Sequence, residues 1–170
     1  VKNNCKEKNL NHVDTIHKSW EDNWDEVPNA DIVVASRSME VKDIKEAVLK
    51  LNSKANKRVY LTTKVGGTFI DPEILNQLPR KVFPRPDYIY LLNVLHSMGI
   101  YAKVDFIKSE NTKFESSTPE EFIEKVAWSL GELSNDEKII LKEYFTKTYK
   151  HKQRAEYINW AFISWEKKDV

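Results

Sequence analysis

The segment Ile32-Val33-Val34-Ala35 narrows the possible folds more than any other part of the chain. It is a continuous apolar run between a polar turn and the small polar stretch Ser36-Arg37-Ser38. Such a run is typical of a strand covered on both faces, as in a parallel sheet with helices above and below it. The segment therefore predicts a central strand that ends in residues small enough to leave room beside it.

The next segments extend this strand into a βαβ unit. Apolar residues at helical spacing predict a helix over residues 40–54 that Ser38 caps, and its buried stripe is Ile44, Ala47, Val48 and Leu51. Residues 58–63 are β-rich and predict the following strand. Strand, helix and strand with short joints form a right-handed unit in nearly all proteins.

The rest of the chain continues to alternate between strands and helices. Strands are predicted over residues 13–19, 102–107 and 156–165, and a helix over 87–97. Two capping boxes, Thr118-Pro119-Glu120-Glu121 and Ser134-Asn135-Asp136-Glu137, predict a helical pair within residues 118–150. We expect this pair to be an insertion that buries Phe122, Val126, Ile140, Tyr144 and Phe145. The whole chain is interpreted as one domain.

Composition excludes several classes of protein. The chain has 170 residues, 41% of them hydrophobic, and 27 basic residues against 26 acidic ones give a net charge of +1. No general positive field would gather nucleic acid. Cys5 is the single cysteine, which excludes an internal disulfide and a multi-cysteine metal site. No apolar run approaches the roughly 20 residues that span a bilayer, so we expect a cytoplasmic protein without a membrane or metal partner.

The order of these elements resembles the C-terminal two-thirds of a class I S-adenosylmethionine-dependent methyltransferase. The resemblance covers nearly all of the chain. It rests on Trp20-Glu21-Asp22 after one strand, Ala30-Asp-Ile-Val-Val-Ala-Ser36 as the fourth strand of that family, and the βαβ unit that follows. The closing segments 98–107 and 158–164 also fit. The resemblance implies a Rossmann-like sheet of strand order 3-2-1-4-5-7-6, parallel except for its final strand, with helices on both faces.

One departure from the family concerns its most specific motif, a glycine-rich turn after the first strand. The glycines of this chain are Gly66, Gly67, Gly99 and Gly131, and all follow the place where that turn belongs. We therefore expect an N-terminally truncated piece of a methyltransferase-like chain, with part of the cofactor-binding region missing. The edge left by the missing strands would expose Ile32, Val33 and Val34, and predicts either a homodimer or a shift of segment 13–19 beside the strand.

The candidate binding site follows from the sheet and from the resemblance. Ligands bind open α/β sheets outside the carboxyl ends of the strands. The resemblance implies that S-adenosylmethionine binds there, with Trp20 and Glu21 at the adenine and with Ser36 and Arg37 beside the methionine portion. The full predicted set is Ser19, Trp20, Glu21, Asp22, Ala35, Ser36 and Arg37. Two alternatives stay open: residues 36–38 form an ordinary capped loop, and Trp20 and Trp24 are packing aromatics.

No catalytic residue is predicted, because methyl transfer requires alignment more than acid–base chemistry. His96 lies among helix core positions, which favours a packed histidine over a catalytic one. Lys64, Tyr88 and Tyr90 fit a small-molecule acceptor. The basic stretch 147–154 could indicate RNA as acceptor, but a solvated helix end explains it better.

Three functions are therefore compared. The first is a methyltransferase acting on an unidentified acceptor, with this chain alone expected to be inactive. The second is a non-catalytic dimerising module derived from that fold. The third, a flavodoxin-like binding domain, is disfavoured by the predicted antiparallel final strand and by the absence of a phosphate loop.

Overall fold

A computed structural model describes residues 2–66, 70–82, 86–110, 116–151 and 157–169. The helices are α1 (Lys2–Glu7), α2 (Ile44–Lys54), α3 (Pro72–Leu75), α4 (Tyr88–Ser97), α5 (Pro119–Leu130) and α6 (Asn135–Lys147), followed by a 3-10 turn at Tyr149–His151. The strands are β1 (Ala30–Ser36), β2 (Ala55–Lys64), β3 (Lys103–Glu110) and β4 (Tyr157–Glu166).

The four strands form one sheet in the order β1-β2-β4-β3. β1 and β2 are parallel, with Val33 opposite Val59 and Ala35 opposite Leu61. β4 runs antiparallel to both of its neighbours, β2 and β3. The fold is therefore the predicted α/β class, a Rossmann-like sheet of parallel strands with an antiparallel C-terminal strand. Its order equals the 4-5-7-6 half of the strand order that the resemblance implied.

The main core lies between one face of this sheet and the helices α2 and α4. The sheet contributes alternate residues of each strand, because successive side chains of a strand point to opposite faces. The fully buried members include Val59, Leu61 and Ile163 from the sheet, Val48 and Leu51 from α2, and Leu91 and Leu95 from α4. Burying each such side chain contributes about 1.5–3 kcal/mol.

Helix α2 begins later than predicted and has a different cap. It starts at Ile44, and the Asp43 carboxylate accepts a hydrogen bond of 2.9 Å from the Glu46 backbone N–H. The prediction that Ser38 caps a helix starting at residue 40 is therefore wrong. Met39 is buried against the core, so the chain between β1 and α2 crosses the sheet end before the helix begins.

The strand predicted over residues 13–19 is absent, since this segment has no regular secondary structure. Within the part of the chain that the structure describes, β1 pairs with β2 alone and forms a sheet edge. Ile32 is 55% and Val34 65% exposed. The prediction that the run 32–35 is covered on both faces is therefore wrong for the part of the chain that the structure describes, because α2 and α4 pack on the other face of the sheet. The expected exposure of this edge is confirmed for Ile32 and Val34, whereas Val33 is half-buried and packs against the main core.

The helical pair forms a second core, separate from the first. Thr118 caps α5, with Pro119 at its first position, and Ser134 and Glu137 form the predicted capping box of α6. Phe122, Val126, Tyr144 and Phe145 are buried as expected, whereas Ile140 is half-buried and its neighbour Leu141 is fully buried instead. Tyr149 packs against Phe122, with ring centroids 4.3 Å apart and ring planes inclined at 41°.

Helices α5 and α6 are also tied to the segment after α3 by a charge pair. The Arg80 guanidinium donates hydrogen bonds to both carboxylate oxygens of Glu137 and to the Glu132 carbonyl. Glu137 is almost fully buried, and Arg80 holds its pKa down at about 2.

No helix in the described ranges is long and apolar enough to cross a membrane.

Candidate functional site

A cavity of about 870 Å³ opens at the carboxyl ends of β1 and β2. Its volume lies within the range of small-molecule sites. The sheet side of the wall is made by Arg37, Thr62, Thr63, Lys64 and Trp160. The helix side is made by the segment 39–45 before and within α2, and by residues 86–97 in and before α4, including Tyr90 and Leu91. The cavity therefore lies where ligands bind open α/β sheets.

The cavity exists because the chain turns sharply at the end of β1. Arg37 has a φ of +56°, a left-handed conformation that residues other than glycine adopt rarely. Its backbone N–H donates to the Thr62 hydroxyl at 3.1 Å, and the Ser36 and Thr62 hydroxyl oxygens lie 3.4 Å apart. These contacts hold the turn open beside β2. An unfavourable backbone conformation held by its surroundings at the rim of a cavity is typical of a functional site.

The Arg37 side chain lies over an aromatic ring that comes from the last strand. Its guanidinium carbon is 4.5 Å from the centre of the Trp160 ring. Trp160 is 4% exposed, and its indole N–H donates to the Ser109 hydroxyl at 2.8 Å, which fixes the plane of the ring. Stacking on this ring orients the guanidinium at the cavity wall.

Lys64 is the second cation on the sheet side. It lies opposite Trp160 in the register of β2 and β4, so both side chains are on the same face of the sheet. Burial lowers the pKa of the Lys64 ammonium. Arg37 therefore lies over the Trp160 ring, and Lys64 is the cross-strand neighbour of the same residue.

Carboxylates line the opposite side of the cavity, and two of the four already have defined roles. Asp43 caps α2, and Asp87 caps α4 by accepting from the Tyr88 N–H at 2.5 Å. Glu21 and Glu40 are the other two. Lys42 and Lys45 also line the helix side, so that side carries charges of both signs, whereas the two charged residues on the sheet side, Arg37 and Lys64, are both cations.

Of the seven predicted site residues, two line the cavity and five do not. Glu21 and Arg37 line the cavity. Ser36 lies one residue behind it, and Ala35 is buried in the sheet core. The other three, Ser19, Trp20 and Asp22, belong to the loop behind Glu21 and do not reach the cavity.

This loop is held in place by its own contacts. Trp20 and Trp24 stack with ring centroids 5.1 Å apart, and both pack against the sheet core. The Asp22 carboxylate accepts from the Ser19 backbone N–H at 2.6 Å, which lowers the pKa of Asp22. Lys50 of α2 donates to the carbonyls of Trp20 and Asp22 at 2.5 and 3.0 Å. Glu21 is therefore presented to the cavity by a loop anchored on α2.

Of the further candidates named from the sequence, Lys64 and Tyr90 line the cavity. Tyr88 instead makes an edge contact with Phe106, at 5.6 Å between ring centroids. His96 is exposed beside Tyr101, so the prediction of a packed histidine is wrong, and it lies away from the cavity. Of the basic stretch 147–154, residues 152–154 lie outside the described residues.

The residues that sequence reasoning missed are Trp160, Thr62 and Thr63. Thr62 and Thr63 stand at the end of the predicted strand 58–63, so the sequence already indicated that they lie at the edge of the sheet where ligands bind. Trp160 had no such signal, because it is distant in sequence from the other wall residues and joins them only through the pairing of β2 with β4.

Comparison with known proteins places the fold but not the activity. No protein-family profile matches the chain. An uncharacterized protein of Haemophilus influenzae is 41% identical over 158 residues, which cover 92% of this chain and 59% of that protein. The chain thus spans less than two thirds of the length of this relative. The crystal structure of the [4+2]-cyclase SpnF is similar with a TM-score of 0.52 and 14% identity, over 99% of this chain and 62% of that one. This likeness shows the Rossmann-like fold.

Proposed function

We propose that the chain is part of an S-adenosylmethionine-dependent methyltransferase that acts on a small-molecule acceptor. The observation that carries this proposal is the sheet order β1-β2-β4-β3 with an antiparallel β4, together with a cavity at the carboxyl ends of β1 and β2. The order is that of the last four strands of the resembled family. One fold supports many reactions, and the similar structure is that of a cyclase, so the activity depends on the residues of the site.

The residues of the site fit part of the cofactor. Glu21 offers a carboxylate to hydroxyl or amino donors, and Arg37 offers a fork of N–H groups to a carboxylate. Both line the cavity. A glycine turn for close backbone contacts is not found at the corresponding place in this sequence, so these 170 residues supply only part of the cofactor site.

The chemistry suits a site without an acid–base pair. Bound S-adenosylmethionine would itself supply the activated methyl group. The task left to this chain is to hold the acceptor in line and to exclude water. Tyr90, Leu91 and Val94 of α4 provide an apolar wall for that purpose, and Thr62 and Thr63 provide hydroxyl groups that can orient a polar acceptor.

The experiment is a calorimetric titration of S-adenosylhomocysteine into two proteins. We expect weak or no binding to the 170-residue chain and a micromolar dissociation constant for the longer Haemophilus influenzae relative. A micromolar constant for the short chain would contradict the incomplete cofactor site. The absence of binding to the long relative would reject methyl transfer.

The second candidate is a non-catalytic module that pairs through its open edge. It is favoured by the exposure of Ile32 and Val34 on an unpaired strand, since exposed apolar edges recruit partners. A long relative that fails to bind S-adenosylhomocysteine, with a chain that forms a stable dimer, would support this candidate.

A further inference from the structure

The two open edges of the sheet differ in how they are protected against pairing. Within the described residues, β1 and β3 each pair with one strand only and form these edges. The charged side chains along β3 are Lys103, Asp105, Lys108 and Glu110, and charges along an edge keep it from pairing with other strands. β1 carries Asp31 alone, in an ion pair of 2.8 Å with Lys57 of β2. The rest of the β1 edge therefore lacks this protection and is suited to pair with another strand.

One face of the sheet carries an apolar patch that begins at the β1 edge. Ile32 and Val34 lie on this face and are 55% and 65% exposed. Tyr60 of β2 is opposite Val34, and its ring stacks on that of Phe162 of β4 with centroids 5.6 Å apart. These four residues form the sheet patch, which extends from β1 across β2 to β4.

Polar contacts border the sheet patch at both ends of the strands. At one end Arg58 and Glu166 form an ion pair of 2.8 Å, and at the other end the hydroxyl oxygens of Ser36 and Thr62 lie 3.4 Å apart. The strand register places all four on the same face as the patch. An exposed apolar patch with a polar rim is typical of a surface that another structural element covers.

The edge and the patch together determine what kind of element fits. A strand that pairs with β1 satisfies the backbone groups of the edge, but the side chains of the patch project away from the plane of the sheet and stay exposed. The same holds for a second copy of the chain joined edge to edge. Parallel strands such as β1 and β2 are usually covered by helices on both faces, and α2 and α4 pack on the opposite face. The element that fits is therefore a strand with a helix attached to it.

We infer that the β1 edge and the sheet patch form one docking surface, and that its occupant is a strand–helix unit of the same polypeptide. The Haemophilus influenzae relative is long enough to carry such a unit. The match covers 158 residues and 59% of that protein, and the part outside the match exceeds the roughly 30 residues of a strand–helix crossover unit. The strand of the unit pairs with β1, and its helix lies across Val34 and Tyr60. The inference concerns how the sheet is completed and does not depend on methyl transfer.

The test measures the reactivity of a thiol placed on the sheet patch. Val34→Cys is made in a Cys5→Ser background, which removes the single native cysteine, and its alkylation by N-ethylmaleimide is followed by mass spectrometry. Val33→Cys is the matched control, because it is the same substitution at the next position, where the side chain packs against the main core. In the relative, a cysteine replaces the residue aligned with Val34 in a background without other cysteines.

The expected rates follow from access to the thiol. In this chain Val34→Cys should react at least about tenfold faster than Val33→Cys. In the relative, the aligned cysteine should react at least about tenfold more slowly than Val34→Cys does in this chain, because the docked helix covers it. The far-UV spectrum of each variant checks its fold.

Hydrogen exchange of the two unmodified proteins is a second measurement that needs no substitution. In the monomeric chain, the β1 amides that point away from β2 should exchange rapidly, because no strand accepts their hydrogen bonds. In the relative, the whole of the matching strand should be protected.

The inference is overturned if Val34→Cys and the aligned cysteine of the relative react equally fast, or if the matching strand of the relative exchanges rapidly. It is also wrong if the protection in the relative is lost on dilution and light scattering shows two chains, since the occupant is then a second copy. Binding of S-adenosylhomocysteine by the relative without protection of this strand would leave methyl transfer standing and reject the docking surface. Protection without binding would do the reverse.

Discussion

Asn52 joins helix α2 to the C-terminal end of β4, and its replacement gives a quantitative test of the main core. Asn52 is 3% exposed. Its side-chain oxygen accepts from the Trp165 indole N–H at 3.1 Å and from the Lys168 backbone N–H at 3.3 Å, and its amide donates to the Lys168 carbonyl at 2.7 Å. One side chain thus fastens the segment after β4 onto α2.

The expected cost of Asn52→Ala follows from the fate of each partner. Lys168 is exposed, so its backbone groups can bond to water, and the loss of these bonds costs about 0.5–1.5 kcal/mol each. Trp165 is 4% exposed, so its indole N–H is left buried and unpaired, at a cost of about 1–3 kcal/mol. We expect a total loss of about 3 kcal/mol in the free energy of unfolding.

The measurement is urea unfolding of the wild type, Asn52→Ala, Trp165→Phe and the double variant. Trp165→Phe removes the donor that Asn52→Ala leaves unpaired, so the two losses should add to more than the double variant loses, by about 1–3 kcal/mol. Asn93→Ala, at an exposed position of α4, is the control and should stay within about 0.5 kcal/mol. A loss below about 1 kcal/mol for Asn52→Ala, or strictly additive losses, would refute the reasoning.

Three further predictions concern the charge pair, the sheet edge and the helical pair. Arg80 lowers the pKa of Glu137 from 4.5 to about 2, so the stability that this carboxylate contributes is present above about pH 4.5 and is lost as the pH falls toward 2. In Arg80→Gln the urea unfolding midpoint should therefore change less with pH over that range than in the wild type. An equal pH dependence in the two proteins would contradict the assignment. The open edge of β1 predicts a dimer, which light scattering at micromolar concentration should detect and Val34→Lys should dissociate; a wild type of only 20.0 kDa rejects it. Amides within α5 and α6 should exchange slowly because their cores are buried, and rapid exchange throughout both helices would be incompatible with this packing.

Local patterns predicted most of the elements because each needs only nearby residues. The capping box Ser134–Glu137 defines the start of α6 through contacts three residues apart. The alternation in β3 and the apolar spacing in α2 likewise depend on the periods of strand and helix. The cap of α2 was misplaced because Ser38 and Asp43 are both good caps, and the packing of Met39 into the core decides between them.

Sequence patterns could not decide which strands have neighbours. Residues 13–19 have strand-like alternation, but a strand forms only where another strand pairs with it, and none of the strands that the structure describes pairs with this segment. The apolar run Ile32–Ala35 correctly predicts a strand. It does not predict whether both faces of that strand are covered, because the exposure of its side chains depends on the elements that pack against the sheet.

The residues of the candidate site likewise fall into those that the sequence predicts and those that only the tertiary structure brings together. The sequence by itself determined that polar residues follow β1 and that Arg37 lies at its carboxyl end, because strand direction and chain order fix that edge. Glu21 was predicted to follow a strand over residues 13–19 that does not form, so its place in the cavity wall is decided by the tertiary structure. Only the tertiary structure decided that Trp160 lies beneath Arg37 and opposite Lys64. The antiparallel return of β4 makes that contact, and it joins residues about a hundred positions apart, beyond the reach of any local periodicity.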